Sequence, residues 1–480
     1  MEEYDFLVVG TGSGLDVANA AVNRGESVAI VERGAIGGTC LNRGCIPSKM
    51  LLYHADVLET VERAGEFGID AEVHGVDFAE FVREVNEDVG EDSESIRRGL
   101  RASEDHALYE GTGRFVGERT LEVVDGPDAG AKLRAERVLV AAGTRPAVPD
   151  IEGIGDVDYL TSTEALQLET PPDRLVVVGG GYIAAELGHF LGTFGSDVTV
   201  VGRRPHLLPE TDPEVGREFT DRYADRFEVY TGHEAVAVAE SGGEVTVETR
   251  PYPPAFDGDP DEEGVTVTGD ELLLAAGRRP NTDLLDVAAA GIETDAAGFV
   301  ETDEYLQTSA EGVWALGDIV GEYLLKHNAN HEARAVVRNL FGDPEPVDYT
   351  AMPYAVFASP EVAGVGATEA DLAGGEYAVN TYRYEDTARG DAMKREGLVK
   401  VLIDLEGTIE GCHIVGPEAS NLIQEVVVAM TAGSGTVRDI RDAVHIHPAL
   451  SEVVQRAFSG QFTRAGAGAH EHDHGHSHDH

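Results

Sequence analysis

The sequence predicts an α/β fold built around two Rossmann-like units. Two observations carry this prediction. A buried strand, a glycine-rich turn, a helix and a second strand follow one another between Tyr4 and Glu32. The same succession returns between Leu175 and Val201. The strands YDFLVV, SVAIVE and LVVV are short, continuous apolar runs, as expected of strands covered on both faces by helices. A chain of 480 residues has room for two to four such domains.

In the first unit the strand Tyr4 to Val9 meets the turn Gly10-Thr11-Gly12-Ser13-Gly14, and a helix follows from about Leu15 to Arg24. Gly10 permits the tight turn, and Gly12 lets a pyrophosphate approach the backbone. The helix N-terminus offers oriented N–H donors, and Glu32 closes the second strand where a ribose hydroxyl is bound. The third glycine of the usual pattern is replaced by Leu15, so Gly14 is left to ease the helix packing. Strand, turn, helix, strand and acid together point to dinucleotide binding.

The second unit runs through Gly179, Gly180 and Gly181, a helix carrying Tyr182, Glu186 and Leu187, and the strand Asp197 to Val201. Where Glu32 stands in the first copy, the second has Gly202, followed by Arg203 and Arg204. An acid there repels a 2′-phosphate, whereas a guanidinium pair binds one. The first unit therefore reads as an FAD site and the second as an NADPH site.

The charge is extreme: 36 Lys and Arg against 88 Asp and Glu, a net of −52. Such a surface repels nucleic acid and anionic membranes. It suits a protein working in molar salt, where screening shortens to about 3 Å. The charges are interleaved with apolar strands and helices, unlike those of a disordered acidic chain. The acidic start leads straight into a strand and no apolar run is long enough to span a bilayer, so a cytoplasmic, halophilic protein is expected. Three cysteines make no secreted disulfide framework.

Two of them stand in Gly37-Gly38-Thr39-Cys40-Leu41-Asn42-Arg43-Gly44-Cys45-Ile46-Pro47-Ser48-Lys49. One helical turn spans this separation, and a thiol at a helix N-terminus ionises more readily. Zinc would need two further ligands at motif spacing, and none is nearby. This segment resembles the redox motif of the large flavoprotein pyridine nucleotide–disulfide oxidoreductases, and the resemblance extends from Tyr4 to about Phe462. It implies that Cys45 lies against the flavin as a thiolate and that Cys40 exchanges with substrate. Lys49 would sit at the flavin edge and pair with Glu186, and Tyr182 would gate the nicotinamide pocket. It further implies cofactor contacts at Gly38, Thr39 and Gly113. Others would fall where strands return the chain between domains, at Ala142 and Gly143 and again at Gly277 and Arg278. Asp318, in WALGD, would bind the ribityl chain. Lys326 would open a helix aimed at the flavin, whose positive end stabilises reduced flavin. In that helix His327 and His331 lack a carboxylate partner motif, so packing rather than a metal is expected.

His445-Ile446-His447-Pro448-Ala449-Leu450-Ser451-Glu452 resembles the C-terminal signature of the same family, with Ala449 in place of the usual threonine. The resemblance makes His447 the general acid–base, with Glu452 orienting its ring. In this family that histidine comes from the partner subunit, which implies an obligate homodimer. The implied organisation is an FAD domain over 1–148, an NADPH domain over 149–275 and a return to the central domain over 276–346. An α+β dimerisation domain would follow over 347–464, then a disordered His-rich tail over 465–480. The segment Pro251 to Gly264 reads as a solvated loop. Alternate histidines in the tail would bind transition metals weakly. Cys412 reads as a buried small hydrophobe.

The substrate is expected to be a small disulfide. No cysteine follows Cys412, which disfavours a mercuric reductase. The LKHNANHEAR wording at 325–334 is nearer to mycothione reductases than to lipoamide enzymes. With the halophile-like composition it points to NADPH-dependent reduction of bis-γ-glutamylcystine. An NAD-dependent dihydrolipoamide dehydrogenase is the alternative, and a non-catalytic metal-handling flavoprotein a more distant one.

Overall fold

The computed structural model describes residues 1–253, 255 and 264–466. A seven-stranded sheet forms the first body. His106–Glu110, Val28–Glu32, Glu2–Val9 and Lys132–Val140 lie side by side and parallel. Lys132–Val140 is long enough to serve two neighbours on its far side. Thr120–Val123 pairs antiparallel with its first residues, and Val313–Ala315 pairs parallel with its last. The chain thus returns to this sheet after visiting the second body.

The second body is a four-stranded parallel sheet in the order Glu228–Thr231, Asp197–Gly202, Arg174–Val178, Glu271–Leu274. An antiparallel sheet of His233–Ser241, Glu244–Pro251 and Thr266–Gly269 packs beside it. Pro251, expected at the start of a loop, instead ends a strand opposite His233. Residues 254 and 256–263 of that expected loop lie outside the described residues. The two connections between the bodies, Thr144–Pro146 and Arg278–Pro280, pair antiparallel with each other.

Both glycine turns are forced by the same close approach. A Cβ on Gly10, at φ +104°, would lie 2.3 Å from the Ala141 carbonyl oxygen. One on Gly179, at φ +136°, would lie 2.2 Å from that of Ala275. Each turn therefore presses on the end of the neighbouring strand, and only glycine fits.

The third body is a six-stranded antiparallel sheet in the order Pro353–Val356, Val362–Gly366, Ile409–Val415, Leu398–Ile403, Glu376–Arg383, Thr463–Gly466. Helices Ala419–Ala432 and Glu452–Ser459 cover it, giving the expected α+β arrangement. Its last strand corrects one boundary. Ala465 and Gly466, expected to begin the disordered tail, pair with Tyr377 and Glu376. Backbone hydrogen bonds to an open sheet edge outweigh their small-residue composition. The tail from residue 467 onward, with its expected metal binding, lies outside the described residues.

The largest core cluster draws on all three bodies. Leu51, Leu52 and Phe81 meet Ala184, Leu187 and Phe190 on one side and Val356, Val362 and Val415 on another. Apolar burial at about 25 cal/mol per Å² makes such a junction a rigid one. It lies behind the helix that begins at Cys45. Among the described residues no helix is long and apolar enough to cross a membrane.

Candidate active site

The cysteine pair straddles a break between two helices. Cys40 lies in Gly38–Arg43, and Cys45 begins Cys45–Glu62. Gly44 separates them at φ −145°, ψ −122°, outside helical geometry. A Cβ there would lie 2.9 Å from the Thr39 carbonyl oxygen. The break turns both thiols toward one cavity, where each acts on the other's ionisation. Interaction with the Cys40 thiol lowers the Cys45 thiol to about 7, with the Lys49 ammonium assisting and burial opposing. The same contact, together with burial, pushes Cys40 upward. The pair is therefore polarised, with thiolate character on Cys45.

The cavity, about 180 Å³, runs from the first glycine turn to the thiols. Gly12, Ser13, Thr39, Cys40, Cys45, Lys49, Gly143, Tyr182, Glu186, Arg278, Asp318 and Lys326 all line it. Residues far apart in the chain are thus brought to one wall. Lys49 Nζ lies 2.7 and 2.9 Å from the two oxygens of buried Glu186, so the expected pair is formed. Tyr182 opens its helix at the cavity wall and is 39% exposed. Lys326 donates to Ser13 Oγ at 2.6 Å and to Asn330 Oδ1 at 2.7 Å, tying its helix to the first glycine turn.

Other expected residues stand behind the wall. Glu32 accepts from Thr11 N at 2.9 Å, Thr11 Oγ1 at 2.7 Å and Gly34 N at 2.8 Å, which locks the turn to the second strand. Gly14 does take over the missing third-glycine role, since a Cβ there would lie 2.9 Å from Val8 Cγ1. Gly38 packs on the backbone of Gly12, and Gly113 packs against Leu121 and Val31. The Ala142 carbonyl accepts from Asn281 Nδ2 at 2.7 Å, and Gly277 takes φ +111° just before Arg278. Gly181 leads the helix of the second unit, and Arg203 and Arg204 stand exposed after its second strand. Neither arginine has an ion pair among the described residues.

Several participants carry no sequence signal of their own. Thr144 Oγ1 donates to Asp318 at 2.9 Å and accepts from Arg278 Nε at 2.7 Å, so it joins the two return segments. Glu332 is fully buried, and burial raises its carboxyl. It accepts from Gly317 N at 2.5 Å, Asn328 Nδ2 at 2.9 Å and Tyr349 OH at 2.8 Å, fixing the turn before Asp318. His327 stands exposed and hydrogen-bonds the Pro353 carbonyl at 2.6 Å. The one acidic cluster among the described residues with metal-like geometry is Asp212, Glu214 and Glu369, and the Lys400 ammonium occupies it. Cys412 is fully buried.

His447 is not on this cavity. Its Nδ1 lies 3.0 Å from Glu452 Oε1, and Glu452 also accepts from Ala449 N at 3.3 Å. The loop around it is bare, with Val444 99% and Ile446 77% exposed.

The residues present fit a flavin dinucleotide. At Gly12 a Cβ would meet nothing within 4 Å, so the turn is open where a pyrophosphate approaches. The cavity continues from there past Asp318 to Cys45. Two Rossmann-like bodies with a polarised dithiol between them define a flavin-dependent disulfide oxidoreductase.

The comparisons agree. A family model described as pyridine nucleotide-disulphide oxidoreductase matches residues 4–333, and the dimerisation domain of that family matches 352–458. The chain belongs to the pyridine nucleotide-disulphide oxidoreductases. It is 37% identical over 476 residues to mycothione reductase of Mycobacterium tuberculosis, covering 96% of this chain and 100% of that one. It is 35% identical to dihydrolipoyl dehydrogenase 3 of Haloarcula marismortui, covering 94% and 95%. The Cu(II) complex of HOCl-induced flavoprotein disulfide reductase RclA from Escherichia coli superposes with a TM-score of 0.83 at 26% identity, covering 96% and 99%.

Proposed function

We propose that this enzyme uses NADPH to reduce a low-molecular-weight thiol disulfide, bis-γ-glutamylcystine, in a high-salt cytoplasm. The observation that carries the reading is the polarised Cys40–Cys45 pair on a cavity shared with Lys49 and Glu186. Arg203 and Arg204, exposed where an acid would exclude a 2′-phosphate, favour NADPH. The similarity to a mycothione reductase favours a small-thiol disulfide. The net charge of −52 favours a halophile's thiol.

Gly12, Ser13, Asp318 and Lys326 would hold FAD, which would supply two-electron transfer between the pyridine nucleotide and the Cys40–Cys45 disulfide. In the resulting dithiol, Cys45 holds the thiolate and Lys49 stabilises its charge. Cys40 gives its proton to His447 of the partner subunit and attacks one sulfur of the substrate disulfide, forming a mixed disulfide and expelling the first thiolate. His447 of the partner subunit gives that thiolate a proton, with Glu452 orienting the ring. Cys45 then attacks Cys40 Sγ, which expels the second thiolate, protonated from solvent, and restores the Cys40–Cys45 disulfide. Two electrons leave the dithiol and two thiols leave the site. The enzyme is thus an obligate homodimer, with each cavity completed by the other chain. Tyr182 gates the nicotinamide, and Asp318 and Lys326 hold the flavin side. The tail from His470 to His480 would bind divalent transition metals weakly and takes no part in the redox step.

The similarity to haloarchaeal dihydrolipoyl dehydrogenase supports a second reading, an NAD-dependent lipoamide enzyme. Oxidation of NADPH and NADH in multimolar KCl, with bis-γ-glutamylcystine and lipoamide offered separately, decides between them. Turnover with NADPH and bis-γ-glutamylcystine supports the first reading. A preference for NADH and lipoamide overturns it and leaves the dithiol chemistry intact.

A further inference from the structure

The Lys49–Glu186 pair has a third member, supplied by a distant part of the chain. Phe357 follows the strand Pro353–Val356 of the six-stranded sheet. Its backbone N–H donates to Glu186 Oε1 at 3.0 Å. Its ring centroid lies 4.9 Å from Lys49 Nζ. One residue therefore touches both charges, with a donor on the anion and a π face on the cation.

The position of this contact gives it consequence. Lys49 comes from the helix that begins at Cys45, and Glu186 from the helix that begins at Tyr182. Lys49 is a third exposed along its side chain, so the ammonium has room to swing toward solvent. Glu186 is nearly buried and cannot follow it. A half-buried ring packed against the core cluster closes that route and keeps the ammonium on the thiol side. The N–H bond fills a carboxylate lone pair that water would otherwise seek.

We propose that Phe357 is a positioning residue for the dithiol site, fixing the Lys49 ammonium against Cys45 by holding both members of the Lys49–Glu186 pair. The proposal rests on the reading of Cys45 as the thiolate partner of Lys49. Because Phe357 lies within the matched dimerisation domain, the electrostatics at Cys45 depend on how that domain docks.

The test uses the reduced holoenzyme in molar KCl, in a Cys40→Ser background, with Cys45 alkylated by iodoacetamide across a pH series. Phe357→Met keeps the volume and removes the π face, while Phe357→Tyr keeps the ring. Phe357→Met is expected to slow alkylation roughly three-fold at pH 6, equivalent to about half a pKa unit. Phe357→Tyr is expected to follow the background profile. If the Met profile overlays the background, or if Tyr loses as much as Met, the proposal is wrong and Phe357 is a packing residue. Phe357→Leu makes the same subtraction if the Met variant yields no holoenzyme. Disulfide turnover of the otherwise wild-type enzyme is measured alongside. Its absence would sink the functional reading, while the Cys45 titration would still decide the role of Phe357.

Discussion

His447 Nδ1 lies 3.0 Å from Glu452 Oε1, yet the imidazole stands 74% exposed and away from the cavity that holds both thiols. A general acid needs an orienting partner and a leaving group within reach, and one chain supplies only the first. Mixed dimers test whether the second chain supplies the rest. His447→Ala alone is expected to lower disulfide turnover by about 10²- to 10⁴-fold, and Cys40→Ser alone to abolish it. Random reassociation of the two variants pairs one intact cysteine site with one intact histidine in each mixed dimer. Turnover should recover to roughly a quarter of the wild-type value. A site contained within one chain would show no recovery.

The polarity of the thiol pair gives a pH signature. Cys45 ionises at about 7 in the folded enzyme, below the usual thiol range, and Cys40 ionises above it. Alkylation of the reduced enzyme should therefore rise through pH 7 at Cys45 first, as read by peptide mass. The sign extends to stability. A lowered thiol pKa favours the folded reduced form above the unfolded thiol's pKa, and that contribution is lost as pH falls through 7. Lys49→Met removes the cation and should move the alkylation midpoint upward by about one unit. An unchanged midpoint would show that the Cys40 thiol alone sets it.

The proposed preference for NADPH over NADH can be tested at Arg203 and Arg204. Both are exposed after the strand Asp197–Gly202. Charge-assisted hydrogen bonds to a phosphate contribute about 1.5–3 kcal/mol, and an exposed pair such as this one about that much in total because of screening. The double variant Arg203→Ala/Arg204→Ala should raise KM for NADPH by about ten- to a hundred-fold and leave KM for NADH nearly unchanged. The gap should narrow in high salt, because the pair is open to screening. Equal losses for both nucleotides would assign the arginines to general surface charge.

What could be read from the sequence divides along contact distance. The glycine turn, Glu32 and the Cys40–Cys45 motif are local. Their geometry is dictated by neighbours within about a strand–turn–helix unit, so composition and spacing reveal it. Lys49 and Glu186 are 137 residues apart, and only resemblance to a family joins them beforehand. Phe357 is a further 171 residues from Glu186. It lies in no motif, and its bond to Glu186 runs through a backbone N–H that every residue but proline owns. Thr144, Glu332 and Lys400 escape for the same reason, as common residue types whose roles come from tertiary burial. The small residues Ala465 and Gly466 mislead in the opposite sense, since sheet-edge pairing overrides their composition.

Lys400 provides the strongest stability test away from the dithiol. Its side chain is fully buried in the strand Leu398–Ile403. Its ammonium meets Asp212 at 2.8 Å and Glu214 at 3.1 Å, and also hydrogen-bonds Glu369. Asp212 caps the helix Pro213–Ala224 of the second body, so the cluster ties that body to the six-stranded sheet. Burial opposes the charged form of both partners. The carboxylates nonetheless hold the Lys400 ammonium above its ordinary range, and Lys400 with the Glu369 N–H holds Asp212 below the usual carboxylate range. Lys400→Met keeps the volume but leaves Asp212 buried without its cation. Removing one partner of a buried pair costs about 3–5 kcal/mol. The melting temperature of the holoenzyme should fall by several degrees, while the Cys45 alkylation profile stays in place. Adding Asp212→Asn should recover part of the loss, since the orphaned charge is then gone. If Lys400→Met melted with wild type in both low and molar KCl, the ion cluster would have no net role in joining the two bodies, and the apolar junction around Phe190 would hold them alone.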